Sequence, residues 1–394
     1  MGRRARKGYP VTSWSIINSL GSTTEEVRAG LRRGLPALSP VPEGTPFDAI
    51  CGSVDAKLAS LPEAIDGFDS RNNRFVYHAL GELEEAITAA HSRWGASRIG
   101  ICVGSSTASM DEIESAFFEH ADSGTVPTGF DVLASGSSHG LLRVLRAITR
   151  FDGPATVVSN ACASSAKAFA SAQRWLDAGV VDAVLVGGSD SLCQMTLRGF
   201  RSLGLLCDGA SRPFSRLRSG INIGEGAAFA LLEREGDGPK LLGSGESSDA
   251  HHMTRPDPEG VGARRAMQIA MQDAGVGPEE VDYVHAHGTG TKFNDAMEAC
   301  AIRAAMAGKA DPIVVSTKGY VGHTLGAAGA FGAIFVLESL QQSWVPASAG
   351  VAPADPDLGL NIPSESVDIE LRIALCNSFA FGGSNVSLLF GAPE

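Results

Sequence analysis

Short apolar runs alternate with alanine-rich periodic segments along the whole chain. The apolar runs are typical of buried strands, and the periodic segments are typical of helices that pack on those strands. We predict strands at residues 99–103, 155–159, 183–186, 227–232, 313–316 and 386–390, and helices at residues 164–177 and 263–274. This alternation predicts an α/β fold with central, mostly buried sheets.

Two segments of the chain echo each other. A strand-like run, a turn and a helix of small residues follow one another from Ala155, and again from Pro312. Cys162 lies in the first connection and His323 lies in the second. The echo favours a chain built from two similar halves, and a chance match is the alternative. A charged segment with Gly and Pro at residues 236–240 predicts the boundary, so that the halves are 1–238 and 239–394.

Composition narrows the class of protein. The 394 residues are 44% hydrophobic, enough for a sizeable core, and 32 basic against 44 acidic residues give a net charge of −12. This charge argues against general nucleic-acid binding. The seven cysteines are scattered and form no CxxC pair, which argues against a disulfide framework or zinc site and favours a reducing cytosol. We find neither a signal peptide nor a run approaching the ~20 apolar residues of a membrane span, and we predict a cytoplasmic protein.

Cys162 lies between a predicted strand and a predicted helix of small residues. A thiol at a helix N-terminus experiences the positive end of the helix dipole, which lowers its pKa from ~8.5 and stabilises the thiolate. The free N–H groups there can also hold an oxyanion. The alternative is a buried structural cysteine, and the local pattern leaves the two interpretations about equal.

A second motif, HAHGTGT, begins at His285. Its two threonines, Thr289 and Thr291, can face the same side and offer hydroxyl groups. His285 and His287 suggest a metal, but no third ligand stands nearby with metal-site spacing. We therefore predict no metal site.

Acidic and basic residues follow this motif. Asp295 and Glu298 stand at helical spacing, and we interpret them as structural supports, by capping or in a buried ion pair. Lys318 and His323 bracket a Gly-rich turn, and the following helix lacks bulky residues on its first turns, which permits close packing on another backbone. The alternative for Lys318 is a solvated loop residue.

Near the C-terminus, Phe379 and Phe381 flank a Gly-Gly pair between polar amides. We interpret the pair as a turn with free N–H groups, beside which the phenylalanines gate an apolar tunnel or fill core. A G-x-S-x-G pattern at residues 136–140 is similar to a hydrolase nucleophile elbow. It lacks a strand immediately before it, so we disfavour a hydrolase.

Taken together, these motifs resemble the β-ketoacyl-[acyl-carrier-protein] synthases of the elongating, Cys-His-His type. The resemblance runs from about Val11 to the end of the chain. The motifs occur in the family's order, as ACASSA, SRPFSRLRSGINIGEGAAFALLE, SSDAHHMT, HAHGTGTKFNDAMEA, STKGYVGHTLGAAGA and NSFAFGGSN. The resemblance implies a thiolase-like fold, with duplicated α/β halves in a five-layer α-β-α-β-α arrangement, and a dimer.

The resemblance also implies the reaction. Cys162, in the N-terminal half, takes an acyl chain from acyl carrier protein as a thioester. His287 and His323, in the C-terminal half, assist the decarboxylation of malonyl-ACP and stabilise the enolate, best as neutral imidazoles. The carbanion then attacks the acyl thioester in a decarboxylative Claisen condensation, in fatty-acid or related chain synthesis. Lys318 orders the site near His323, and Glu298 supports it.

The resemblance assigns further roles. The backbone N–H groups of Cys162 and Phe381 form an oxyanion hole. Thr289 and Thr291 bind the phosphopantetheine arm. Phe379 and Phe381 lie at the acyl pocket, with Phe381 as its gate. This chemistry needs no metal or organic cofactor.

Acyl carrier protein is acidic, so docking on an acidic enzyme requires a local basic patch. The resemblance points to Arg71, Arg74 and Arg212, for which solvated surface arginines are the alternative. A homodimer is expected, with a heterodimer containing a chain-length factor as the second possibility.

Several departures from the family pattern bear on the pathway. The chain has Arg218-Ser-Gly-Ile221 where the family commonly has Arg-Asp-Gly-Phe, and Ala380 replaces the first Gly of FGFGG. The N-terminal strand is more polar and contains Trp14. A specialised polyene or polyketide ketosynthase that acts with a chain-length factor therefore fits as well.

Three other functions within the same fold are disfavoured. A chain-length factor normally lacks the nucleophile that Cys162 provides. A degradative thiolase needs a second cysteine, which is absent beside Phe381. A Cys-His-Asn priming synthase needs an asparagine where His323 stands.

Overall fold

The computed structural model describes residues 8–128, 130–135 and 137–393 of the chain. The basic N-terminal segment, residues 1–7, and Gly136 of the G-x-S-x-G pattern lie outside the described residues. Among the described residues, no helix is both long enough and apolar enough to cross a bilayer.

The first half of the chain alternates strands and helices. Its elements are β1 (Tyr9–Ile17), α1 (Thr24–Arg33), β2 (Ser39–Pro40), β3 (Ile50–Cys51), α2 (Arg71–Glu82), α3 (Glu84–Trp94), β4 (Ile99–Gly104), α4 (Met110–Ser123), α5 (Val132–Ser135), α6 (Ser138–Thr149), β5 (Ala155–Val158), α7 (Ser164–Asp177), β6 (Ala183–Asp190), α8 (Gln194–Ser202) and β7 (Gly226–Glu233).

The second half continues the same alternation. Its elements are β8 (Lys240–Ser248), α9 (Val261–Ala274), β9 (Tyr283–His285), α10 (Lys292–Met306), β10 (Ile313–Val315), α11 (Lys318–Val321), α12 (Ala328–Gln342), β11 (Trp344–Val345), β12 (Val367–Asp368), β13 (Ile373–Phe379) and β14 (Ser384–Gly391). The loop between β7 and β8 contains residue 238, and a division of the chain there stays a prediction.

The strands of the two halves are arranged in the same way. In the first half the spatial order is β5-β4-β6-β7-β1, and in the second it is β10-β9-β13-β14-β8. Each half therefore places its third, second, fourth, fifth and first strands side by side. In each half the second strand is parallel to both neighbours and the remaining two pairings are antiparallel. The predicted duplication is confirmed.

The two halves join through the antiparallel pair β1–β8 into one ten-stranded sheet. Helices lie between the halves and cover their outer faces. α7 and α12 pack on each other and on strands of both halves, so they form a central layer. α2, α3 and α6 pack on the first half, and α9 packs on β8 and β14 with α10 against it. This is the predicted five-layer order. It explains why every residue of β4, β6 and β7 is buried, because these strands have helices on both faces.

The central layer depends on small residues, as the sequence predicts. A Cβ atom on Gly329 of α12 would lie 2.5 Å from the backbone nitrogen of Ala166 in α7. A Cβ atom on Gly332 would lie 2.8 Å from Cys376 Sγ in β13. Any larger side chain would push the layers apart.

One predicted strand end is wrong. The strand predicted at residues 183–186 continues as β6 through Gly187 and Gly188 to Asp190. Both glycines allow close backbone contact, since a Cβ atom on Gly187 would lie 2.2 Å from the carbonyl oxygen of Ala228. These glycines thus belong to the sheet, and they bring Asp190 beneath the site described next.

Candidate active site

Cys162 follows β5 and precedes α7 by two residues. The residue before it, Ala161, has a φ of 44°, in the left-handed region that non-glycine residues seldom adopt. The backbone N–H groups of Cys162 and Phe381 point at Cys162 Sγ. Two donors from distant parts of the chain therefore meet at one sulfur atom.

The environment of this thiol differs from the one the sequence predicts. Burial raises the pKa of the Cys162 thiol to about 11, although the charge of Lys318 and the N–H of Phe381 act in the other direction. The predicted lowering of the pKa is therefore wrong for the resting site, because loss of solvent outweighs the favourable donors. The thiol is the resting form at neutral pH.

His287 and His323 face each other beside the cysteine. Their ring centroids are 5.3 Å apart, with the rings nearly perpendicular. His323 Nδ1 accepts a hydrogen bond from the N–H of Leu325 at 3.2 Å, so Nε2 carries the ring hydrogen, and no described residue pairs with it. Burial and then the charge of Lys318 lower the pKa of both histidines well below the usual range. Both imidazoles are neutral near pH 7.

Two buried charged residues hold the backbone at His287. The carboxylate of Glu298 accepts hydrogen bonds from the N–H groups of His287, at 2.8 Å, and Gly288, at 2.7 Å. Lys318 Nζ donates to the carbonyl oxygen of His287. Burial raises the pKa of Glu298 to about 7 and lowers that of Lys318. Lys318 is thus a buried residue of the site, and its interpretation as a solvated loop residue is wrong.

Asp295 supports the turn that follows His287. Its carboxylate accepts hydrogen bonds from the N–H groups of Phe214, at 2.8 Å, and Gly290, at 3.1 Å. Burial raises its pKa to about 6. The two hydroxyl groups of Thr289 and Thr291 are 2.9 Å apart, on the same side as predicted. Asp295 and Glu298 therefore support the backbone by accepting from N–H groups, and neither forms a direct salt bridge with a described residue, although the charges of Glu298 and Lys318 act on each other.

The two histidines of the HAH motif do not share a site. His287 lines the cavity, whereas His285 Nε2 is 3.0 Å from Thr317 Oγ1 in the buried layer behind it. Within the described part of the chain, no group of three His, Cys, Asp or Glu side chains could hold a metal ion.

A cavity with about 690 Å³ of empty space connects these groups. Cys162, His287 and His323 line it together with Thr289, Thr291, Asn294, Phe379, Phe381, Phe200, Leu205, Ile221 and the loop of residues 252–256. The Phe381 ring stacks on the ring of Phe200 from α8, with 5.7 Å between centroids. Sequence reasoning missed Phe200, because nothing in the local pattern of α8 marks it as a contact of Phe381.

The Gly-Gly turn contradicts one expectation. Gly382 donates its N–H to the carbonyl oxygen of Met253 at 2.8 Å, and Gly383 donates to that of Ala380 at 3.0 Å. The glycine N–H groups are thus paired, and the prediction that they are free is wrong. The donor that points into the site is the N–H of Phe381.

Asp190 is a second residue that sequence reasoning missed. At the end of β6 it is fully buried and accepts hydrogen bonds from the N–H groups of Ser106, Thr107 and Ala327 at 2.7–2.9 Å. It therefore ties the loop after β4 to the turn that precedes α12. The available signal was a carboxylate at the end of an apolar strand. It was missed because the predicted strand ended at residue 186 and did not include Asp190.

The three arginines suggested for carrier-protein docking differ in their surroundings. Arg71 pairs with the buried Glu225, with Nε 2.9 Å from Oε2. Arg74 pairs with Asp69 at 2.6 Å, and Arg212 is exposed. Their docking role stays a prediction.

Comparison with known proteins identifies the family. The model of the β-ketoacyl synthase N-terminal domain matches residues 11–238, and that of the C-terminal domain matches residues 240–352. The chain belongs to the β-ketoacyl synthase family. These enzymes are condensing acyltransferases with the thiolase-like fold.

Individual members of this family match over nearly the full length. The 3-oxoacyl-[acyl-carrier-protein] synthase 2 of Synechocystis sp. is 30% identical over 415 residues, which cover 99% of each chain. A chain of the complex between the ketosynthase ApeO and its chain length factor ApeC from Xenorhabdus doucetiae is 35% identical with a TM-score of 0.89 and 98% coverage of each chain. The ishigamide ketosynthase/chain length factor is 30% identical, with a TM-score of 0.89, over 98% of this chain and 100% of that one.

Proposed function

We propose that the protein is a β-ketoacyl-ACP synthase that extends an acyl chain on Cys162 by condensation with malonyl-ACP. One observation carries the proposal. A single cavity contains a buried thiol under two N–H donors and, beside it, two neutral imidazoles. This is the set of groups that acyl transfer and enolate formation require together.

In the first step, Cys162 Sγ attacks the carbonyl carbon of the acyl-ACP thioester. The negative charge that develops on the carbonyl oxygen is stabilised by the N–H groups of Cys162 and Phe381, which already point at the sulfur. The thiol proton ends on the departing phosphopantetheine thiol. The acyl chain is then held as a thioester on Cys162.

In the second step, the malonyl thioester lies against the two imidazoles. Loss of CO2 leaves an electron pair as an enolate, whose oxygen accepts hydrogen bonds from His287 and from His323 Nε2–H. The hydrogen bond from Leu325 to His323 Nδ1 supports this tautomer. The enolate carbon attacks the acyl thioester, and Cys162 leaves as the thiolate and is reprotonated.

We further propose that the chain acts as a dimer, with a chain-length factor as a candidate partner. β5 pairs with β4 on one side and with no described strand on the other, and its residues are all half-buried. An open strand edge is a natural place for a second chain. The two ketosynthase–chain length factor structures, at 35% and 30% identity, support a specialised pathway, and the 3-oxoacyl-[acyl-carrier-protein] synthase 2 of Synechocystis sp., at 30% identity, supports fatty-acid synthesis to a similar degree.

The function is tested by incubating the purified protein with acyl-ACPs of several lengths and malonyl-ACP. We expect β-ketoacyl-ACP by mass spectrometry, and none from the Cys162→Ala variant. Condensation by Cys162→Ala at the wild-type rate would overturn the assignment. Activity that requires co-expression with a chain-length factor would select the heterodimer over the homodimer.

A further inference from the structure

The wall of the active-site cavity changes from buried to exposed along its length. Cys162 and His323 are 6% and 2% exposed, whereas Met253 and Phe293 are 78% and 62% exposed. The first two residues therefore form the floor of the cavity and the last two form its rim. Arg255, which is exposed and follows Met253 by two residues, belongs to the rim.

Arg255 carries a charge that the protein leaves uncompensated. Its guanidinium lies over the ring of Phe293 at 5.3 Å, and it forms no salt bridge with any residue that the structure describes. Asp249 on the same wall is engaged elsewhere, because it accepts from Asn385 Nδ2 of β14 at 2.7 Å and from the N–H of Asp257 at 3.3 Å. Among the described residues that line the cavity, Arg255 alone carries a permanent positive charge. The rim therefore offers a binding site for an anion.

We propose that Arg255 binds the phosphate of the phosphopantetheine arm while the arm's thioester lies at Cys162, which makes Arg255 a specificity-determining residue. This inference rests on the proposed function. The arm must enter thioester first, because the reacting carbonyl has to reach the sulfur on the floor. Its other end is a phosphodiester joined to a folded carrier protein that cannot enter, so the phosphate stops at the rim.

The chemistry of the rim fits that end of the arm. A guanidinium can hold two phosphate oxygens at once, and the face of Phe293 keeps it in one plane by a cation–π contact. The carbon skeleton next to the phosphate carries two methyl groups, and the exposed apolar side chains of Met253 and Phe293 offer a surface for them. The phosphate of the arm and the methyl groups beside it thus meet a guanidinium and an apolar surface at the same place on the rim.

The test compares two small molecules that differ only in the phosphate. Affinities of 4′-phosphopantetheine and pantetheine are measured by isothermal titration calorimetry for the wild type, Arg255→Gln and Arg255→Lys. We expect the wild type to prefer the phosphorylated compound, and Arg255→Gln to reduce this preference about tenfold, as expected for loss of a charge-assisted hydrogen bond. Arg255→Lys should retain part of it, since it keeps the charge but not the planar fork.

The control variant is Arg33→Gln, an exposed arginine at the end of α1 that does not line the cavity. It changes the net charge by the same amount and should leave the preference at the wild-type value. An unchanged preference in Arg255→Gln, an equal loss in Arg33→Gln, or no measurable preference in the wild type would each overturn the proposal.

A kinetic measurement separates this inference from the function on which it rests. If the wild type forms no β-ketoacyl product from malonyl-ACP, the proposed function fails. If product forms but Arg255→Gln leaves the KM for malonyl-ACP unchanged, only the role of Arg255 fails. A lower KM for malonyl-coenzyme A than for malonyl-ACP in the wild type would assign the rim to coenzyme A and contradict the carrier-protein assignment.

Discussion

The turn after β5 and the turn after β10 occupy equivalent positions in the two halves, yet they present different chemistry. In both, the residue before the reactive side chain has a positive φ, 44° at Ala161 and 73° at Gly322. α7 begins two residues after Cys162, whereas α12 begins five residues after His323. The second turn therefore contains an extra loop of chain, from which Leu325 donates its N–H to His323.

Under the proposed function, this difference lets one duplicated turn serve two steps of the reaction. The short connection places backbone N–H donors at a sulfur atom, where negative charge passes through during acyl transfer. The longer connection uses a backbone N–H to fix the tautomer of an imidazole, whose other nitrogen then faces the cavity. The two connections share a positive φ before the reactive residue, and the extra residues of the second connection supply the donor to His323.

The substitutions with the largest expected effects test which reaction step each turn serves. Cys162→Ala should abolish acyl-enzyme formation, because no other described side chain under the two donors can form the thioester. His323→Ala should leave acylation of Cys162 measurable but reduce condensation by about 10²–10³-fold, the scale for loss of one oxyanion donor. Intact-mass spectrometry of the acyl-enzyme and product assays measure the two steps. Equal loss of acylation in both variants would contradict the division of labour.

The next test uses the two residues with positive φ. Gly322→Ala places a Cβ 2.8 Å from the backbone of Ile223, at φ 73° and ψ −176°, a region that only glycine adopts readily and that costs other residues about 1–3 kcal/mol. We expect a lower melting temperature and at least tenfold lower activity. Ala161→Gly removes the same kind of strain, so its stability should equal or exceed that of the wild type. Thermal unfolding measures both, and destabilisation by Ala161→Gly would show that the strain argument fails.

Buried carboxylates beneath the two turns provide a third comparison. Glu298→Gln and Asp190→Asn each leave buried N–H groups poorly paired, and we expect each to destabilise the fold by about 1–3 kcal/mol. The strongest hydrogen bonds of Glu298 come from the backbone at His287 and Gly288, and weaker ones come from the side-chain amides of Asn294, at 3.5 Å, and Asn377, at 3.4 Å. Its variant should therefore slow malonyl decarboxylation more than acylation. Asp190 joins the loops near both turns, so its variant should slow both steps. Single-turnover assays of each step distinguish these outcomes.

The smallest effect concerns pH. Because burial raises the pKa of the Cys162 thiol to about 11, its alkylation by iodoacetamide should rise about tenfold per pH unit from about pH 7 to 10. Decarboxylation by a Cys162→Gln variant should show no histidine titration between about pH 6 and 8, since lowered pKa values keep His287 and His323 neutral. An alkylation plateau below about pH 8 would show that the N–H donors outweigh burial.

Much of the site was predictable from the sequence because its motifs are contiguous. Cys162 and His323 stand in strand–turn–helix segments whose patterns are readable over about twenty residues. The small residues of α12 predict close packing, which Gly329 confirms by its approach to Ala166. The halves share one strand order, as their echo in sequence suggests.

Other features were not predictable, because they depend on contacts between distant segments. Phe200 meets Phe381 across 181 positions of the chain, and Asp190 meets Ala327 across 137. The N–H groups of Gly382 and Gly383 looked free because their acceptors, in part from the loop containing Met253, are invisible to local pattern.

By itself, the sequence determined the α/β class, the duplicated halves and the three reactive side chains, since periodicity and turn chemistry are properties of neighbouring residues. Only the tertiary structure decided the ionisation of those side chains. The helix N-terminus at Cys162 predicts a lowered pKa, but burial raises it to about 11, because the loss of solvent results from every layer packed around the sulfur. The fold likewise decided that Arg255 stands at the rim of the cavity, a position no local pattern encodes.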